Sequence, residues 1–174
     1  MPEREIGTLL VKGDSAAQQY WRRREKTRLT MQGEWINTGD KYYVDQDGYY
    51  WCTGRGDDML KVGGIWVSPL EVENCLGLHS AVREVAVVGH KDEKDLVKPK
   101  AFVVLRDGYA PSEEMAQELK DWALERMAKY KYPRWVEFLP ELPKSTTGKI
   151  QRFKLRQGAV ATNKEQLLAR PREG

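Results

Sequence analysis

Leu60-Lys61-Val62-Gly63-Gly64-Ile65-Trp66-Val67-Ser68-Pro69-Leu70-Glu71-Val72-Glu73-Asn74-Cys75-Leu76 is the stretch on which the fold turns. Two short apolar runs flank Gly63-Gly64, and glycine supplies the positive φ that a two-residue hairpin turn needs. The hairpin expected over 59–67 runs straight into a helix. Ser68 is its N-cap, Pro69 sits at the first helical position where a missing N–H costs nothing, and Glu71 completes a capping box. Val72, Cys75 and Leu76 fall on one helical face, which makes Cys75 a core residue rather than a nucleophile.

Working toward the C-terminus, Val85–Val88 and Ala101–Leu105 are near-continuous apolar runs, as central strands covered by helices require. Ser112 caps the next helix, with Glu113 and Glu114 in its first turn and Met115, Leu119, Trp122 and Met127 as its buried stripe. Arg134–Leu139 alternates and reads as a third strand. A short basic helix is expected from near Gln151. The order hairpin, helix, strand, strand, helix, strand, helix defines a small α+β domain over 57–161, followed by a polar tail over 162–174. Toward the N-terminus, Gly7–Gly13 reads as a strand. Tyr42–Val44 and Tyr49–Trp51 flank Asp45-Gln46-Asp47-Gly48, a hairpin signal. A calcium loop there fails, because no bidentate Glu follows at EF-hand spacing. Residues 1–56 are β-rich but lack partners for a complete sheet, so they are expected to be the end of a larger upstream domain.

The chain has 174 residues, 40% of them hydrophobic and 32% charged, a balance that suits a folded globular protein. No run reaches the ~18 apolar residues of a membrane span, and the opening Met1-Pro2-Glu3-Arg4-Glu5 is not a signal peptide. Cys52 and Cys75 make neither a disulfide scaffold nor a zinc site, and His79 and His90 stand alone, so no metal centre is expected. These readings place the protein in the cytoplasm. The net charge of +3 conceals an imbalance: Lys129–Gly158 holds eight basic residues against Glu137 and Glu141, and the remainder is net acidic. A focused positive stretch calls for an anionic partner.

Three segments carry chemistry: Asn37-Thr38-Gly39-Asp40, Gly54-Arg55-Gly56-Asp57-Asp58-Met59-Leu60-Lys61-Val62-Gly63-Gly64, and Leu142-Pro143-Lys144-Ser145-Thr146-Thr147-Gly148-Lys149-Ile150-Gln151-Arg152. Singly, each has a plain reading as a turn, an exposed ion pair or a surface lysine. The third is not a Walker A loop, since Pro143 replaces its first glycine and Ile150 its hydroxyl. Together they converge on nucleotide chemistry. A carboxylate such as Asp40 accepts both ribose hydroxyls, an arginine such as Arg55 donates to ribose or phosphate oxygens, and Lys149 on a glycine-containing loop brings a compact cation to a forming acyl-phosphate bond.

In that order and spacing, the T-G-D, G-R-x-D-D-x-x-K-x-x-G and P-K-x-x-x-G-K-I-x-R elements resemble the C-terminal portion of the acyl-adenylate-forming superfamily. The match runs from about Gly7 to about Arg156 and includes Gly7–Gly13 followed by Tyr20-Trp21. Within the superfamily, Lys61–Glu73 looks most like the benzoate-type aryl-CoA ligases. The resemblance implies an acid–thiol ligase that converts an aryl carboxylate and ATP, with Mg²⁺, to acyl-AMP and pyrophosphate, and then to acyl-CoA and AMP, as in aromatic degradation. Asp40 and Arg55 would hold the ribose, Lys149 would act in adenylation, and Asp57 would be the hinge between the two half-reactions. Gly63 and Gly64 would border the pantetheine channel, and Tyr130, Lys131 and Arg134 would meet the coenzyme A nucleotide. The loop Asp92-Glu93-Lys94-Asp95-Leu96 departs from relatives that carry an adenine-stacking Trp there.

The family's phosphate loop and acid pocket belong to the missing N-terminal domain, so this chain alone is expected to be inactive. An adenylation domain serving a carrier protein is the nearest alternative. A nucleic-acid-binding module built on Tyr130, Tyr132 and Trp135 is disfavoured, because apolar residues of that stretch already alternate as a core strand. Lys149 is also a candidate for a lysine acetyltransferase and deacetylase, since acetylation would remove its charge.

Overall fold

The computed structural model describes residues 5–158; the expected tail 162–174 lies outside the described residues. The N-terminal sheet is built on β3 (Trp35–Val44), flanked by β1 (Gly7–Val11), β2 (Met31–Gln32) and β4 (Tyr50–Arg55). β1 runs antiparallel along β3, β2 pairs with Trp35 and Ile36, and β4 pairs from Asp40 to Val44. The Asp45–Gly48 turn closes the expected hairpin. Asp45 organises it, accepting from the backbone N–H groups of Asp47 and Tyr49 and from Trp51 Nε1.

A seven-residue helix, α1 (Arg24–Thr30), precedes β2. No apolar stripe announces it, and none of its residues is buried. The Thr27 hydroxyl, which donates to Arg23 O and accepts from Tyr20 N, ties its first turn to the preceding chain.

The deciding stretch folds as read. β5 (Leu60–Val62) and β6 (Ile65–Val67) pair around Gly63 and Gly64, whose φ values are +56° and +88°. Both central residues are left-handed, the signature of a primed hairpin turn. Helix α2 (Pro69–Gly77) begins with Ser68 Oγ accepting from Glu71 N at 3.2 Å. The capping box is only half formed. Glu71 turns its carboxylate to Lys131 Nζ at 2.6 Å, because a cation on a neighbouring segment outcompetes the neutral backbone donor.

β7 (Val82–Lys91) and β8 (Val97–Leu105) are antiparallel neighbours, and β9 (Trp135–Phe138) lies parallel to β8. A parallel neighbour needs a crossover, and α3 (Glu113–Arg126), capped by Ser112 Oγ, provides it. Alternation along β7 and β8 creates two cores. Val87, Ala101 and Val103 face Leu60, Val67, Val72, Leu76, Leu119 and Ala123 from the hairpin, α2 and α3. Ala86, Val88, Phe102 and Val104 face Leu139, Leu142, Leu155 and the half-buried Ile150. The segment that covers this second face, ending in α4 (Arg152–Arg156), is the one that carries Lys149.

Candidate active-site surface

Asp40 and Arg55 are direct partners in the β3–β4 register, so their side chains leave the sheet together. Arg55 Nη1 lies 3.5 Å from Asp40 Oδ1 and 3.4 Å from Thr38 O, and Arg55 Nε lies 3.5 Å from Asp57 Oδ1. Gly39 makes room for this approach. Its φ is +78°, and a Cβ there would stand 3.0 Å from Arg55 Nη2. The three contacts are long and the Arg55 side chain is 55% exposed, so the guanidinium keeps donors free for an anion. The Asp57 side chain is 73% exposed, while Asp58 beside it is largely enclosed.

Lys149 stands at the tip of a closed loop. Lys144 and Ile150 bridge its base, Ser145 N donates to Lys149 O at 2.8 Å, and Gly148 N donates to Ser145 O at 2.9 Å. Gly148 has a φ of +79°, a conformation that glycine enters without steric cost. Ser145 Oγ accepts from Lys149 N at 3.2 Å and pairs with Thr147 Oγ1. Among the described residues no hydrogen bond or ion pair engages Lys149 Nζ, and the residue is exposed. The loop therefore presents an uncommitted ammonium.

A recess of about 270 Å³ lies where three segments distant in sequence meet. Val62 beside the hairpin turn, Lys98 and Pro99 of β8, and Lys129, Tyr130, Tyr132 and Arg134 line it together with Asp92. Tyr130 and Arg134 both line it. Lys131 is not part of the lining; its Nζ is held by Glu71. Arg134 N donates to Pro99 O at 2.8 Å, which pins the segment beside β8. The hydrogen bond of Arg134 Nη1 to the Tyr132 hydroxyl at 2.9 Å favours its cationic form further. Asp92 sits below the ordinary carboxylate range, first because Leu96 N donates to it and then through Lys94 N. That carboxylate organises the β7–β8 connection. Lys98 carries no sequence signal for the recess, because only the folding of β8 against the Lys129–Arg134 segment assembles it. Among the described residues, no cluster of three or more His, Cys, Asp or Glu side chains could hold a metal ion.

Sequence reading also left Arg152 and Glu73 without a role. Glu73 Oε2 lies 2.7 Å and Oε1 2.8 Å from Arg152 Nη2, and Glu73 Oε1 accepts from Val87 N at 2.7 Å. Asp58 accepts from Arg156 Nη1 at 2.9 Å and lies 3.8 Å from Arg152 Nη1. A Glu inside an otherwise apolar helical face was the available signal.

Around strand-registered Asp40 and Arg55, the glycine hairpin and the lysine loop, the chain is similar to the C-terminal portion of adenylate-forming enzymes. The family described as "AMP-binding enzyme C-terminal domain" matches residues 71–149. The chain is 56% identical over 150 residues to the benzoate–CoA ligase of Thauera aromatica, covering 86% of this chain and 28% of that protein. It is 48% identical over 154 residues to the 4-hydroxybenzoate–CoA/benzoate–CoA ligase of Rhodopseudomonas palustris, covering 88% and 29%. Among solved structures, the anthranilate CoA ligase AuaEII in complex with anthranoyl-AMP superposes with a TM-score of 0.87 at 58% identity, over 91% of this chain and 31% of the other. The benzoate CoA ligase of Burkholderia xenovorans LB400 gives 0.82 at 54% identity, over 90% and 31%. The chain thus spans less than a third of the length of these relatives.

Proposed function

We propose that this chain is the C-terminal part of an aryl-acid CoA ligase of the benzoate type. The protein as a whole would join an aryl carboxylate to AMP from ATP, releasing pyrophosphate, and then transfer the acyl group to coenzyme A. Identity of 56% to a benzoate–CoA ligase across 86% of the chain is the observation that carries this reading. The geometry supports it at three places. Asp40 and Arg55 stand together with spare acceptor and donor capacity for ribose hydroxyls and phosphate. The Lys149 ammonium is free to neutralise charge on carboxylate and phosphate as the acyl-phosphate bond forms. A Cβ added at Gly63 or Gly64 would meet nothing within 4 Å beyond its chain neighbours, so the bare turn leaves room for a thin pantetheine chain.

The recess offers Lys98, Lys129 and Arg134 for the phosphates of coenzyme A, with Tyr130 as a stacking surface. Lys131 would serve there only after releasing Glu71. Asp57 is proposed as the hinge, with residues 57–161 moving as a unit against the large domain to which residues 1–56 belong. More than half of each of Tyr49, Tyr50 and Trp51 is exposed, an aromatic strip that supports contact with such a domain. Mg²⁺ finds no ligand cluster among the described residues, so its ligands are assigned to ATP and the upstream domain. The exposure of Lys149 also makes it the lysine proposed for reversible acetylation, which would abolish its charge.

The test is Lys149→Ala in the full-length ligase. Adenylation, followed by pyrophosphate exchange, should fall by about 10²-fold or more, as for loss of a transition-state donor. Thioester formation from preformed acyl-AMP should persist. Equal loss in both half-reactions would refute the assignment.

A further inference from the structure

The loop that presents Lys149 has little apolar surface of its own. Ser145, Thr146, Thr147 and Gly148 are polar or bare, and Thr146 through Lys149 are exposed. Their mutual hydrogen bonds shape the loop but do not fix where it stands on the domain. Its two ends do that. On the incoming side, Lys144 Nζ reaches Glu84 of β7 at 2.7 Å. On the outgoing side, three residues beyond Lys149, Arg152 reaches Glu73 of α2.

This second anchor is of a different kind. Arg152 Nη2 contacts both Glu73 oxygens, at 2.7 and 2.8 Å, and Arg152 Nε lies 3.3 Å from Oε1. The Glu73 side chain is 8% exposed and that of Arg152 22%. The backbone N–H of Val87 holds the carboxylate from the β7 side. Arg152 Nη1 then approaches Asp58, the residue after Asp57, which Arg156 also grips. A buried ion pair is a poor source of stability, because apolar residues of similar volume often serve as well or better. A planar guanidinium supplies direction, since several fixed donors define both distance and orientation.

We infer that Arg152 is a positioning residue for Lys149: its grip on Glu73 sets where the Lys149 loop stands, and its contact with Asp58 ties that loop to the chain beside Asp57. The inference rests on the proposed adenylation role of Lys149. Arg152 acts through geometry, and a lysine in its place would keep the charge but lose the fork.

A double-mutant cycle on the full-length ligase tests this, using Lys149→Ala, Arg152→Lys and the double variant. Arg152→Lys should lower kcat for adenylation about 10-fold or more, because misplacement by about 1 Å costs up to ~10²-fold. KM for ATP and thioester formation from acyl-AMP should each stay within about twofold, a split that loss of an adenylation-specific interaction produces. Amide exchange at Gly148 and Lys149 should quicken. In the Lys149→Ala background, Arg152→Lys should cost less than about twofold more, the non-additivity of groups acting through one another.

Multiplying losses, equal loss in both half-reactions, or unchanged adenylation in Arg152→Lys would overturn the role of Arg152 while leaving that of Lys149 standing. Unimpaired adenylation in Lys149→Ala would instead bring down the proposed function, and this inference with it. Where Arg152→Lys folds poorly, the cycle is read with Asp58→Asn, which leaves the Glu73 pair in place. A loss of about threefold that disappears in the Lys149→Ala background is expected there, and an additive or absent loss overturns the inference.

Discussion

Glu73→Gln isolates the charge of the buried pair with little change in volume. The amide oxygen can still accept from Val87 N, now 2.7 Å from Glu73 Oε1. The amide nitrogen then takes the Oε2 position and faces Arg152 Nη2, so the 2.7 Å contact is lost, while the contacts to Oε1 at 2.8 and 3.3 Å lose their charge. Removing one partner of a buried pair costs about 3–5 kcal/mol. Arg152 is 22% exposed and keeps Asp58 at 3.8 Å, so water and a second carboxylate absorb part of that charge. The low end, about 3 kcal/mol, is therefore expected.

Urea unfolding of the whole chain, followed by circular dichroism, reads this directly. With m near 2 kcal/mol/M, the midpoint should fall by about 1.5 M at unchanged m. Glu73→Met with Arg152→Met should recover most of the loss, since both charges leave together. About 1 kcal/mol should remain, the low end for an unsatisfied buried donor, because Val87 N loses its acceptor. A midpoint shift below about 0.3 M in Glu73→Gln would refute the reasoning, by showing that water already screens the pair.

Leu119→Ala, at a fully buried position facing α2 and the sheet, should destabilise the protein by about 3–5 kcal/mol in the same assay; a loss under about 1 kcal/mol would show that the core collapses around the site. Asp45 should titrate below its ordinary value of 3.8, first because Trp51 Nε1 donates to it and then through the N–H groups of Tyr49 and Asp47. Its contribution to the hairpin is present above the unfolded pKa and is lost as pH falls through the depressed folded one. Trp51→Phe should move the carboxyl resonance titration upward, and an unmoved titration would discount the indole. Asp57→Pro in the full-length ligase should fix φ near −65° and impair one half-reaction selectively, whereas unchanged kinetics in both would exclude Asp57 as the hinge.

Much of the fold was legible because its signals are local. Gly63-Gly64 demanded positive φ, Ser68-Pro69 announced a helix start, and the alternation in Arg134–Leu139 gave a strand with two different faces. Helix α1 escaped, since Arg24–Thr30 has no apolar period and buries nothing. The capping role given to Glu71 was half right for the same local reason. The backbone cap formed, but Lys131, sixty residues away, took the carboxylate.

Asp40, Arg55, Lys149 and the glycine turn could be proposed from residue type and spacing, because the chemistry proposed for them depends on what they are and on short-range backbone geometry. Whether they have neighbours, and which, was a matter of tertiary packing. The register of β3 against β4 sets Asp40 beside Arg55, and the approach of β8 to Lys129–Arg134 turns scattered cations into a recess. The close fit of Arg152 to Glu73 needs α2, β7 and the start of α4 to converge. Such contacts join residues as much as 79 positions apart. A sequence period reports only the face on which a side chain emerges, and only the folded chain decides what it meets there.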